Sequence, residues 1–155
     1  MSADILPFWE TKPLWAFTTD EWEVVCDGCA KCCLLKLEDE DDPDTVYFTD
    51  VACRLLDLAT CRCTDYANRT ARVPSCARLA PDRTDLLGLM PPSCAYRRLA
   101  EGRGLPSWHH LVSGDERIIH ARNRSILGRV VGEPSVDPEC LTERLVTWPF
   151  DDDSE

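Results

Sequence analysis

Basic residues are scarce. Lysine and arginine number 17 against 28 aspartates and glutamates, a formal charge of −11. That excess argues against a binder of phosphate backbones, which needs a basic face to displace counterions. No apolar run approaches the roughly 20 residues that a membrane span needs. The opening residues, Met1-Ser2-Ala3-Asp4-Ile5-Leu6-Pro7, carry no basic patch followed by an apolar run. A secretory signal is therefore not expected, and a cytoplasmic setting is. No P-loop, Gly-x-Gly-x-x-Gly or Ser/His/Asp ordering is present, so the common NTPase, dinucleotide and hydrolase signatures are missing. What remains is a globular composition, 44% apolar and 29% charged, in 155 residues. That is the usual size of one domain, long enough to bury roughly two-thirds of the unfolded surface.

The abundant residue is cysteine: ten, at positions 26, 29, 32, 33, 53, 61, 63, 76, 94 and 140. Five disulfides are arithmetically possible, but a chain without an export signal keeps its thiols reduced. Cys32 and Cys33 are adjacent and cannot bridge each other without strain. Eight of the ten fall between positions 26 and 76, which is too clustered for scattered small hydrophobes. Metal or iron–sulfur ligation is the expectation.

The densest segment is Cys26-Asp27-Gly28-Cys29-Ala30-Lys31-Cys32-Cys33. A Cys-x-x-Cys step lets two thiolates grip one ion from a tight knuckle, and Gly28 supplies the unhindered backbone. Were the segment helical, Cys26, Cys29 and Cys33 would share a face and Cys32 would lie off it. Either way Cys32 and Cys33 cannot aim alike. They serve different metals, or one serves a metal and the other a second role. Further on, Val46–Thr49 and Val51–Cys53 suggest short strands. An extended Cys61-Arg62-Cys63 would put both sulfurs on one side. Cys53, Cys61, Cys63 and Cys76 complete a second four-sulfur set or mix with the first. Four thiolates around Zn²⁺ leave a charge of about −2. Lys31, Arg54, Arg62, Arg69, Arg72 and Arg78 are interleaved to offset it. Cys94 opens a predicted helix with Ser93 as N-cap and Gly102 as terminator. There the helix dipole would lower the thiol's pKa, which makes Cys94 a ninth ligand or a reactive thiol. Cys140 stands alone and is expected to be structural.

The acid run Glu38–Asp44 lacks the spaced ligands and central glycine of a calcium loop and reads as a solvated loop. The tail, residues 151–155, reads as disordered. Trp108-His109-His110 and His120 are expected to pack and hydrogen-bond rather than ligate. Phe8, Trp9, Trp15, Phe17 and Trp22 are expected to cover the core. Thr18-Thr19-Asp20-Glu21 looks like a capping box that starts a helix running into Cys26. The fold class expected is mixed α/β (α+β): one small domain over residues 1–150, of short helices and strands around a cysteine-rich metal or iron–sulfur core. The cluster core is 26–94, and 105–146 wraps it. Removing metal should unfold much of 26–94, because ligation and folding are coupled.

Taken together, Cys26-x-x-Cys29-x-x-Cys32-Cys33, Tyr47-Phe48-Thr49, Val51-Ala52-Cys53, Cys61-Arg62-Cys63-x-x-Tyr66, Cys76 and Cys94-Ala95-Tyr96-Arg97 resemble the YcgN-type branch of the YkgJ-like cysteine-cluster proteins. Pro7-Phe8-Trp9, Leu99-Ala100-Glu101-Gly102, Leu105-Pro106-x-Trp108-His109 and Leu111-Val112-Ser113-Gly114 extend the likeness over roughly residues 7–131. The family is a bacterial group described as zinc- or iron-chelating. The resemblance implies Cys26, Cys29, Cys32, Cys33, Cys53, Cys61, Cys63 and Cys76 as ligands, with Cys94 close behind, and zinc, iron or an iron–sulfur cluster as cofactor. A similar cluster in flagellin lysine methylases is associated with an iron–sulfur centre; no methyl-donor motif matches here. The implied partner is the metal or cluster, with neither nucleic acid nor membrane. The readings in competition are a metal-binding module, a cluster-dependent or thiol redox enzyme using Cys94, and a sensor with a protein partner.

Overall fold

The first helices follow from local chemistry. Pro7 and Pro13 precede a short α1, Phe8–Thr11, and a 3-10 turn, Leu14–Ala16. Thr18 then caps α2, Thr19–Val25. Its hydroxyl accepts the Glu21 N–H at 3.1 Å, and the Glu21 carboxylate accepts the Thr18 N–H at 2.9 Å. The expected capping box is thus present in both halves. These coordinates are a computed structural model that describes residues 6–42, 45–73, 76, 79–81 and 83–150. The acidic tail and the end of the acid run, Pro43 and Asp44, lie outside the described residues.

After the cysteine loop the chain turns extended. Strand β1, Leu34–Glu38, pairs antiparallel with β2, Val46–Ala52, in a register that shifts between Leu34 and Lys36. The two strand signals expected there are one continuous strand, and Cys53 sits just past its end. Strands β3, Leu56–Asp57, and β4, Arg62–Cys63, form a separate antiparallel ribbon. Three helices follow: α3, Arg69–Arg72; α4, Ala95–Ala100; and α5, His110–Ser113. The chain then makes α6, Ile118–Ala121, and two-residue strands β5, Val131–Gly132, and β6, Leu145–Val146. β5 pairs parallel with β2 at Val51 and Ala52, and β6 pairs antiparallel at Phe48 and Thr49. The C-terminal wrap therefore completes the sheet that the N-terminal half starts, and a bidentate Arg144–Asp50 pair at 2.7 and 2.8 Å fastens it. This is one small α+β domain.

Three apolar clusters form the interior. The first gathers Phe17, Trp22, Val25, Leu87, Met90, Ala95 and Tyr96, with Phe8 and Trp9 against it. The N-terminal aromatics thus line the core as expected, except Trp15, which is 76% exposed. Trp22 and Tyr96 stack at 4.4 Å, and the Tyr96 hydroxyl donates to the Trp22 carbonyl at 2.6 Å. The second cluster lies on the sheet, with Ala30, Leu34, Phe48, Ala52, Leu56, Cys61 and Ile126. The third is Cys29, Trp108 and Ile119. Cys94 packs on the first, Cys33 on the second, and Cys29 belongs to the third. Each cluster thus has at least one cysteine in it or packed against it.

Candidate metal centre

Helix α2 delivers the chain to the site, with Cys26 as its C-cap. The last carbonyls of a helix lack intrahelical partners. Here the two histidines supply them: His109 Nε2 lies 2.8 Å from the Val25 carbonyl and His110 Nε2 lies 2.7 Å from that of Val24. The two rings stack at 4.3 Å. His109 Nδ1 accepts the Leu111 N–H at 3.0 Å, so the proton is on Nε2. Burial holds its pKa down to about 4, and the ring is neutral. As expected, these histidines pack and hydrogen-bond, fastening the end of α2.

From Cys26 the chain is not helical. Gly28 has φ 77° and Ala30 φ 61°, and a 3-10 turn, Lys31–Cys33, leads into β1. Backbone N–H groups point at several sulfurs, in this loop and elsewhere. Cys26 accepts from Gly28. Cys29 accepts from Lys31 at 3.4 Å and Cys53 from Leu55 at 3.5 Å. Cys94 accepts from Tyr96 and Arg97. Donors of this kind favour a thiolate over a thiol.

The sulfurs divide into two neighbourhoods. Cys26 feels the charges of Cys32 and Cys94; Cys29 and Cys94 each feel that of Cys32. On the other side Cys33 feels the charge of Cys53, and Cys76 those of Cys53 and Cys63, while Cys32 acts on both Cys33 and Cys76 and so reaches both sides. The adjacent pair joins the two groups. Cys33 donates to Cys32, which pulls the Cys32 thiol down and pushes Cys33 up. Cys26 and Cys32 keep exposed surface as residues, yet desolvation is the strongest influence on the Cys26 thiol and raises it. Desolvation likewise raises Cys29, Cys76 and Cys94. For Cys94 this corrects an expectation. It is itself the N-cap of α4, one residue earlier than foreseen for the helix interior, and burial outweighs the helix end. Ser93, the expected cap, is buried and accepts from Lys31 Nζ at 2.8 Å.

Lys31 is 1% exposed, a cation brought inside among acidic groups. Its charge reaches Asp27 and Cys29. Of the other basic residues, Arg69 acts on Cys76 and stacks 3.7 Å over the Tyr66 ring. Arg62 acts on Cys61. The Arg54 guanidinium donates to the Arg72 carbonyl, the Arg72 guanidinium pairs with Asp65, and Arg78 lies outside the described residues. Cys61 departs from the extended geometry expected of Cys61-Arg62-Cys63. Its φ is 58°, it enters the sheet cluster, and Ser125 hydrogen-bonds to it. Cys140 sits in a 3-10 turn, Pro138–Arg144, near Glu143 and Asp137.

Sequence reasoning missed three groups. Tyr96 and Tyr66 flank Cys26 and feel its charge, and Tyr66 donates to Glu23 at 2.7 Å. Asp27 is the third. Its Oδ1 accepts the Cys29 N–H at 3.0 Å, while its buried Oδ2 has no hydrogen-bond partner. Desolvation raises its pKa. The only sequence signal was its position inside the cysteine run. Among the described residues no three Cys, His, Asp or Glu side chains are grouped closely enough to hold an ion as they stand. The donor chemistry nevertheless suits one: thiols met by amide donors, an orphaned carboxylate oxygen and a buried cation.

These features define a small cysteine-rich α+β protein. The family described as "Putative zinc- or iron-chelating domain", CxxCxxCC, matches residues 25–95. A UPF0260 protein of Ectopseudomonas mendocina is 54% identical over 146 residues, covering 94% of this chain and 97% of the relative. One of Parvibaculum lavamentivorans is 54% identical over 144 residues, covering 93% and 94%. A third, of Rhodopseudomonas palustris, is 52% identical over 143 residues, covering 92% and 84%. The chain belongs to the UPF0260 family. No solved structure matches.

Proposed function

We propose that the protein is a metal-binding module that holds zinc or iron, the latter as an ion or an iron–sulfur cluster, through thiolates drawn from two neighbourhoods. The first comprises Cys26, Cys29, Cys32 and Cys94, and the second Cys33, Cys53, Cys63 and Cys76. Cys61, turned into the sheet core beside Ser125, stays outside this set. The observation that carries the reading is the set of backbone N–H groups directed at Cys26, Cys29, Cys53 and Cys94. Such donors stabilise sulfur as thiolate, the form that binds metal. The buried Lys31 offsets part of the negative charge that four thiolates impose. The chelating family supports the same class of ligand.

Adjacent Cys32 and Cys33, joined by a hydrogen bond, bring the two neighbourhoods together. Because desolvation raises the metal-free thiols, loading releases protons, and affinity rises with pH. A reactive-thiol role for Cys94 loses support, since burial raises its pKa. Within the family we assign the chain to the YcgN-type branch. We also assign it to the cytoplasm, where thiols stay reduced; no helix among the described residues is long and apolar enough to cross a membrane. The acidic charge of −11 speaks against nucleic acid as a partner.

The test is anaerobic purification followed by elemental analysis and a visible absorption spectrum. Stoichiometric zinc in a colourless protein, or stoichiometric iron in a brown one, is the expected result. A folded, reduced protein with neither metal would overturn the reading.

A further inference from the structure

We propose that Lys31 and Ser93 form a latch that holds Cys94 beside residues 26–33, so that its sulfur is presented to the first site before any ion arrives. The latch itself rests on the Lys31–Ser93 bond. That the presented sulfur receives an ion rests on the metal-binding reading.

Cys94 lies far along the chain from Cys26, Cys29 and Cys32. Closing so long a loop costs entropy that contacts must offset. Two contacts contribute. The first joins buried side chains. Lys31 sits between Cys29 and Cys32, and its Nζ donates to Ser93 Oγ at 2.8 Å across 62 residues. Lys31 is 1% exposed and Ser93 2%, so the bond is charge-assisted and shielded from competing water. The second contact is apolar: Cys94 packs on the cluster that contains Val25, the residue before Cys26. The two contacts take hold at opposite ends of the cysteine run. Cys94 has little freedom beyond that. Its Cα is about 3.8 Å from that of Ser93, and its N–H donates to the Pro91 carbonyl at 2.9 Å, which closes a turn. The other end of Lys31 also matters, since its backbone N–H donates to Cys29 Sγ at 3.4 Å. One residue thus touches a sulfur of the loop through its amide and the segment bearing Cys94 through its ammonium. Burying a lysine costs desolvation that a merely solvated side chain would avoid. An ammonium has three donors and no acceptor, so Lys31 is a positioning residue and not a ligand.

The test follows each thiol by mass spectrometry while the full-length, reduced, metal-free protein is alkylated under anaerobic conditions. Cys61 is the internal control, because it is buried in a different apolar cluster from the one Cys94 packs on. Lys31→Met keeps a long stem and removes the ammonium. It is expected to speed Cys94 alkylation about tenfold or more, the scale of a lost charge-assisted bond, with Cys61 changing less than about twofold. Ser93→Ala should do the same, and should add little once Lys31→Met is in place, because the two side chains act through one bond. Co²⁺ titrated into the same proteins should bind about tenfold or more weakly in either variant than in wild type. Cys94 and Cys61 freed to the same degree would show a general loss of stability and overturn the latch. So would an unchanged Cys94 in Ser93→Ala, or effects of the two substitutions that simply add. A freed Cys94 with unchanged Co²⁺ affinity overturns the presentation of that sulfur to an ion. Wild type that takes up no Co²⁺ overturns the metal-binding reading, and the alkylation rates still decide the latch.

Discussion

His109 is the residue on which the geometry of the site turns most visibly. It is fully buried, and both ring nitrogens are committed, to the Val25 carbonyl at 2.8 Å and the Leu111 N–H at 3.0 Å. A proton on Nδ1 would remove the Leu111 bond and place a charge in an apolar setting. Burial accordingly lowers the folded pKa to about 4, below the ordinary 6.5. A group depressed in this way binds more protons when unfolded. The stability it contributes is present above pH 6.5 and is lost as pH falls towards 4. The expected loss between pH 7 and pH 5 is about 2 kcal/mol. His109→Gln keeps an N–H for Val25 but cannot ionise. Thermal melts of both proteins across this range should show a shallower slope for the variant; parallel slopes would remove His109 as the cause. Asp27 shows the same dependence on setting. In the sequence it is one acid among 28; only burial and the absent partner single it out.

At the scale of elements, the short signals were legible where their chemistry is local. The Thr18–Glu21 capping box spans three bonds' worth of chain, and both of its hydrogen bonds form. The same holds for the knuckle glycine, with φ 77° at Gly28, and for Gly102 after α4, with φ 75°. Legibility failed where tertiary contacts decide. Ser93 reads as a cap, but Lys31 claims its hydroxyl from 62 residues away, and the cap moves to Cys94. Cys61 reads as extended, but its left-handed backbone turns it into the sheet cluster. The histidine fasteners reach back over 84 and 86 residues, beyond any local pattern. The local devices are also the ones that single substitutions can probe. Thr18→Ala should cost about 1 kcal/mol by removing the cap. Gly28→Ala should cost a similar amount, about 1 kcal/mol, through the left-handed strain. It should also weaken metal binding, because the Gly28 N–H that reaches Cys26 depends on that turn. Thr18→Ala should leave metal affinity nearly unchanged. Denaturant melts paired with metal titrations separate the two; equal effects on affinity would mean the turn has no part in presenting Cys26.

At the scale of the whole molecule, the described residues form three modest apolar clusters, each with a cysteine in it or against it. The first holds the aromatic N-terminus against α4, the second backs the sheet, and the third contains only Cys29, Trp108 and Ile119 among its buried members. Backbone bonds link them through the same loop: Cys53 N–H to the Cys33 carbonyl at 2.8 Å and Ile126 N–H to the Cys29 carbonyl at 3.0 Å. A bound ion would tie residues 26–33 to residues 53–76 and to Cys94, replacing contacts that so short a loop cannot supply by burial. Without it, negative charge on the sulfurs would push the clusters apart, or the thiols would stay protonated and contribute little cohesion. Stripping the metal should therefore loosen residues 26–33 and 53–63 first. The sheet pairing of β1 with β2 and the Trp22–Tyr96 stack, which rest on apolar burial, should persist longest. Hydrogen exchange read by mass spectrometry on loaded and chelator-treated protein resolves this. Protection is expected to fall by at least tenfold over residues 26–33 and 53–63, with a lower melting temperature and a smaller change over β1 and β2. The same protection with and without metal would show that the three clusters hold the junction unaided, and that the ion is cargo there and not a structural tie.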